Sequence, residues 1–234
     1  MNRLLLLLSF VCLACHARGQ ARGTIAVPGF DDQYSTLVRQ LEAGSLNVDY
    51  RAFRESFIAS EQFLVAAKKS KEQEQLTKQL YAQLQDQQYQ DVLTTTQRLL
   101  SINYTNLLAH KILRQTYKIV GDTASASKYK RIQFGLLNSI VQNGNGKTCA
   151  TAWPVTQLDE EYFILQVLGL ELIRQSTDHA GGLCDKMEVR TETGETQTYF
   201  FETSQIFDGY RRMGLKEAGP AASWPRGLHC RPGQ

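Results

Sequence analysis

Between residue 30 and about residue 141, apolar side chains recur three and four positions apart. That spacing lines one face of an α-helix. Leu76, Leu80 and Leu84 make one stripe, and Val92, Leu93, Leu99, Leu100 and Ile102 a second. Leu108, Ile112, Leu113, Tyr117 and Val120 form a third, and Ile132, Leu136, Leu137 and Ile140 a fourth. No proline interrupts the stretch, and polar breaks fall at Asp86-Gln87-Gln88, at 103–106 and at Gly121-Asp122. The pattern predicts helices over about 74–86, 88–102, 107–120 and 123–142. Two more are predicted over 30–41 and 48–63, with Asp49 as an N-cap. The charged stretch 64–75 reads as an exposed helix end or loop.

The breaks at Asp86 and Gly121 lie 35 residues apart, close to the tetratricopeptide period of about 34. A plain antiparallel bundle would use the same stripes. Two helical hairpins are too few for a free-standing solenoid, so they need something further to pack on.

The period changes after Asn143-Gly144-Asn145-Gly146. Residues 150–155 suit a short strand, and Asp159 reads as the N-cap of a helix over 160–168 that Gly169 ends. A strand is expected over 170–177, and strands 185–192 and 196–203 flank Thr193-Gly194-Glu195 as a hairpin. The fold class expected is α+β: a helical-hairpin, tetratricopeptide-like half over 30–142, then a small half over 143–208 with a mostly antiparallel sheet. Residues 209–234 hold three of the five prolines, and a disordered tail is expected there.

The N-terminus reads as an address. Arg3 precedes the apolar run Leu4 to Cys15, too short for a bilayer of about 30 Å and right for a signal peptide. Cleavage is expected before Gln20, with 20–29 as a linker. Leu13-Ala14-Cys15 also resembles a lipobox, although Cys12 stands where a branched aliphatic is usual, so a lipid anchor on Cys15 is the second address. No later run is long enough to span a membrane.

The chain has 234 residues, 26 Lys and Arg and 23 Asp and Glu. Without Arg3 and Arg18 the balance is +1, which gives no bulk electrostatic case for nucleic acid or an anionic membrane. Removal of the leader would leave Cys149, Cys184 and Cys230. Export permits a Cys149–Cys184 disulfide, but sequence does not place the two together, and isolated structural thiols are the expectation.

An ordered set of segments then carries a resemblance. Asp49-Tyr50-Arg51-Ala52-Phe53-Arg54 comes first, then the run from Arg98 to Tyr104, and then Asn106-Leu107-Leu108-Ala109-His110. Val120-Gly121-Asp122, the run from Gly135 to Ile140 and Gly144-Asn145-Gly146 follow. Ala152-Trp153-Pro154-Val155, Asp159-Glu160-Glu161-Tyr162, Gln175-Ser176 and Tyr199-Phe200-Phe201 complete the set. This order resembles the bacterial domain-of-unknown-function 4919 family, whose members are exported proteins of Bacteroidetes and some Proteobacteria. The resemblance covers about 30–205 and implies export and architecture, not a reaction. Asn145 stands where the family usually has Asp, and Cys184 where an aromatic is expected.

Candidate chemistry is sparse. Gly144-Asn145-Gly146-Lys147-Thr148 lacks the first glycine of a P-loop, since residue 141 is valine. Glu160 and Glu161 are adjacent and cannot share a helix face, which suits them to the helix dipole rather than to one reacting bond. No His or Cys pair stands at ligand spacing, so no metal or cofactor is expected. His179 precedes a glycine pair and reads as solvent-facing, and Trp224 and His229-Cys230 fall in the tail. The catalytic candidates are His110, Glu161 and Asp185. Asn106, His110, Asn145, Glu160 and Tyr162 are the binding candidates. The function expected is a non-enzymatic protein- or peptide-binding module of the cell envelope. Its rival is a hydrolase or small-ligand binder, with His110, Asn145, Glu161 and Asp185 around a cleft between the halves.

Overall fold

The computed structural model describes residues 24–178 and 183–214. The expected leader, Cys15, His179 and the expected tail from residue 215, with Trp224, His229 and Cys230, lie outside the described residues.

Helices α1 (Gln33–Glu42), α2 (Tyr50–Ala59), α3 (Glu61–Lys68), α4 (Ser70–Gln85), α5 (Tyr89–Ile102), α6 (Leu107–Ile119) and α7 (Thr123–Val141) fill the first part. Asp32, Asp49, Asn106 and Asp122 cap α1, α2, α6 and α7 by accepting from backbone N–H groups of the first turn. From α4 to α7, each helix packs on the next. Two expectations need correction here. The single helix over 48–63 is broken at Ser60, whose extended backbone (ψ 158°) separates α2 from α3. The charged stretch from residue 70 is regular helix, held by pairs such as Lys78–Glu74 and by Arg98 of α5 on Glu72.

The second part holds β1 (Trp153–Pro154), α8 (Leu158–Val167), β2 (Glu171–Asp178), β3 (Cys184–Arg190), β4 (Thr196–Glu202) and α9 (Ser204–Arg212). Sheet order is β1-β4-β3-β2, with β1 parallel to β4 and the other pairs antiparallel. The α+β class therefore holds. Asp159 is not the N-cap of α8. Gln157 takes that place, and Asp159, Glu160 and Glu161 occupy the first turn. The expected disorder from residue 209 is also corrected, because 209–212 complete α9. Gly209 makes this docking fit: a Cβ there would lie 2.2 Å from Ile58 and 3.3 Å from the Phe63 ring. The expectation of isolated thiols fails as well. Cys149 and Cys184 form a disulfide that ties the segment after α7 to β3.

One apolar core runs through both parts. An aromatic chain links Tyr34, Phe53, Phe57, Phe63 and Tyr210, with neighbouring ring centroids 5.1–5.5 Å apart. The same cluster continues through Ile132, Leu136 and Phe163 to Met187, Val189 and Phe201 of the sheet. Gly135 lets α7 approach α2, since a Cβ there would overlap the Tyr50 ring at 2.3 Å.

Candidate functional site

Charged side chains meet at the junction of α2, α7 and α8. Arg54 sits among Phe53, Phe57 and Ile58 on the buried face of α2 and is 2% exposed. A guanidinium there needs buried acceptors. Glu160 supplies them: Arg54 donates from Nε at 2.9 Å and from Nη2 at 2.7 Å, a bidentate pair. Arg54 also donates to the Pro154 carbonyl at 3.0 Å, and Thr156 donates to Glu160 from its N–H and hydroxyl. Sequence reasoning missed Arg54. The signal was available, since an arginine inside an apolar stripe demands a partner.

Glu161, one step round α8, meets the sheet instead. It is 0% exposed, and neither carboxyl oxygen has a hydrogen-bond partner. Burial is the main force pushing its carboxyl well above the usual range, reinforced by Asp185, Glu160 and Asp159. Asp185 itself is satisfied, accepting from Gln175 Nε2 at 2.7 Å and Thr177 Oγ1 at 3.2 Å. Tyr162 donates to the other end of Gln175 at 2.6 Å, and burial pushes its phenol up to about 12. Glu161, Tyr162 and Asp185 thus share one polar layer between α8 and the sheet, while Glu160, about 100° round α8, turns to Arg54. The layer sets Glu161, without a hydrogen-bond partner, beside the hydrogen-bonded Asp185.

The other candidates lie in separate networks. The His110 ring packs between Tyr104 and Tyr129, and its Nε2 lies 2.6 Å from the Tyr104 carbonyl. A carbonyl only accepts, so Nε2 carries the proton. Burial lowers the pKa of His110 to about 4, which keeps the ring neutral. Tyr104, Tyr129 and Lys128 converge on Glu42 and fasten α1 to α7. Asn106 is the N-cap of α6. Asn145 accepts from Lys147 N–H and Thr151 Oγ1 and staples its own loop.

Two open features stand apart from these buried groups. A cleft of about 470 Å³ lies between α1, α2 and α9, lined by Gln33, Glu55, Ile58, Gln205, Asp208 and Arg212 among others. None of the catalytic or binding candidates lines it. The second feature is the outer face of α6 and α7. Ser127, Lys130, Arg131, Phe134 and Asn138 form an exposed stripe on α7, and Gln115, Lys118 and Ile119 are exposed on α6. Phe134 is 41% exposed and Ile119 57%. The Arg114 guanidinium lies over the Phe134 ring, 5.9 Å from its centroid.

A family model described as Domain of unknown function (DUF4919) matches residues 45–212, more than two thirds of the chain. The chain belongs to this family. The DUF4919 match runs from the segment before α2 to the last residue of α9. It takes in Arg54, the carboxyls of α8, the disulfide and both α6 and α7. It also extends beyond residue 205, where the resemblance stopped. No curated protein and no solved structure matches the chain. No helix among the described residues is long and apolar enough to cross a membrane.

Proposed function

We propose that the protein is an exported, non-enzymatic binding module whose α6–α7 hairpin meets a protein or peptide partner. One observation carries this reading: large apolar side chains lie open on that hairpin, beside cations that make no ion pair among the described residues. Single exposed apolar residues are ordinary, but an aromatic ring packed under an arginine has the composition of an interface anchor. The α4–α5 and α6–α7 hairpins, offset by about one tetratricopeptide period, make a repeat-like scaffold, and the second part caps it. Export is supported by the leader-like N-terminus and by the Cys149–Cys184 disulfide, which persists in oxidising compartments. Signal-peptidase cleavage before Gln20 leaves the protein free in the periplasm or outside the cell.

The test is affinity purification from cell-envelope extract with wild-type protein and with Phe134→Ser. A stoichiometric partner lost in the variant is the expected result. Its retention by both proteins contradicts the assignment of the face.

The cleft between α1, α2 and α9 favours a second reading, a small-ligand site where the helical part meets α9. A thermal-shift screen checks it: a ligand whose stabilisation disappears in Asp208→Ala would place binding there.

A further inference from the structure

Charge is distributed unevenly along the chain. From Val92 to Leu158 there are eight Lys and Arg and a single acid, Asp122. From Asp159 to Gly214 there are eleven acids and five bases. Neither α6 nor α7 contains an Asp or Glu. Lys128 is matched by Glu42, but Arg114, Lys118, Lys130 and Arg131 form no ion pair among the described residues. The last three are exposed, and Arg114 is half-buried beside Phe134.

Resting on the binding-module reading, we propose that the outer face of α6–α7 binds an acidic peptide segment bearing one apolar anchor. Carboxylates would meet Arg114, Lys118, Lys130 and Arg131, and the anchor would sit on Phe134. Three arguments select this occupant. The Arg114 guanidinium is a planar fork suited to a carboxylate, and it makes no ion pair among the described residues. The ring beneath it offers an apolar seat next to that charge. The basic zone is one hairpin wide. At about 1.5 Å per residue, α6 is about 20 Å long, which an extended peptide of about six residues spans. A nucleic acid or an anionic bilayer is a far larger anion and would also confront the acid-rich second part of the molecule.

Fluorescence anisotropy tests this with the purified protein. The probe is a labelled synthetic peptide of about twelve residues, Glu and Asp around one Phe, and a second peptide carries Gln and Asn in place of the acids. The acidic peptide should bind and weaken about tenfold as salt rises from about 50 to about 200 mM. Lys118→Glu/Lys130→Glu/Arg131→Glu should weaken it by at least about tenfold, and Phe134→Ser by a smaller factor, with the unfolding midpoint unmoved in both. Equal binding of the neutral peptide, or indifference to the charge reversal, overturns the proposal. So does preference for phosphatidylglycerol vesicles or heparin over the peptide. If the envelope partner is lost in Phe134→Ser while the acidic peptide fails to bind, only the acidic class falls. If both variants retain that partner, the binding-face reading falls with it.

Discussion

Two groups of charges in this molecule are handled in opposite ways. Round α8, Arg54 and Glu160 are buried and paired, with Pro154 and Thr156 completing their hydrogen bonds, and the neighbouring Glu161 is buried with no hydrogen-bond partner. On α6 and α7, Lys118, Lys130 and Arg131 stand in solvent round an exposed ring. Buried charges report on how the chain folds, because each needs its partner to stay buried. Exposed, unpaired charges beside an apolar group cost the fold little and remain available to another molecule. The family-like segments include Arg54, Glu160 and Glu161 of the first group and none of Lys118, Lys130, Arg131 and Phe134.

The contrast can be broken most forcefully at Arg54. Arg54→Ala would leave Glu160 buried without its cation and should cost about 3–5 kcal/mol, read from urea unfolding. A loss below about 1 kcal/mol would show that the junction tolerates an unpaired carboxylate. The disulfide comes next. Cys149→Ser with Cys184→Ser should cost about 2–4 kcal/mol, and dithiothreitol should lower the wild-type Tm toward that of the variant.

Glu161 gives a smaller, pH-dependent effect. Its native carboxyl titrates above the unfolded one, because burial and Asp185 oppose its charge. The native state therefore keeps a proton that the unfolded chain has already lost. That contribution to stability is full below the unfolded carboxylate range and declines as pH rises through the native value. Glu161→Gln should flatten the decline and leave the variant more stable than wild type on the alkaline side. An unchanged pH profile would mean that Glu161 is not held neutral. Smallest of all, Lys118→Glu, Lys130→Glu and Phe134→Ser should each move stability by no more than about 1 kcal/mol, since all three are exposed and the Arg114–Phe134 stacking is a surface contact. A larger loss would place them in the fold rather than on a working surface.

Much of this was legible in the sequence, and the misses have physical causes. The stripes from Leu76 to Ile140 marked α4 to α7 because amphipathic periodicity is a direct consequence of one-sided burial. The hairpin at Thr193-Gly194-Glu195 was equally plain. The break at Ser60 was invisible, because extended backbone at a serine leaves no compositional mark. Helix α9 was not predicted, because the expected tail began at residue 209 and covered its last turn. Gly209 is where the helix touches Ile58 and Phe63. The disulfide depended on proximity across 35 residues, which spacing does not reveal. Of the site candidates, Glu161, Tyr162 and Asp185 meet round α8, whereas His110 is held by aromatic rings and Asn145 by its own loop. The basic hairpin was missed for a different reason. A total near zero conceals a positive block followed by a negative one, and only a running sum along the chain separates them.

The most direct test of the central claim is site-specific photo-crosslinking in the cell envelope. A photoreactive residue replaces either Phe134 or Ile173, which are exposed to nearly the same extent, 41% and 43%. A discrete crosslinked product is expected from position 134, lost when Lys118, Lys130 and Arg131 are changed to Glu, and none from position 173. A product from 173 alone, or one from 134 that survives the charge reversal, would contradict it.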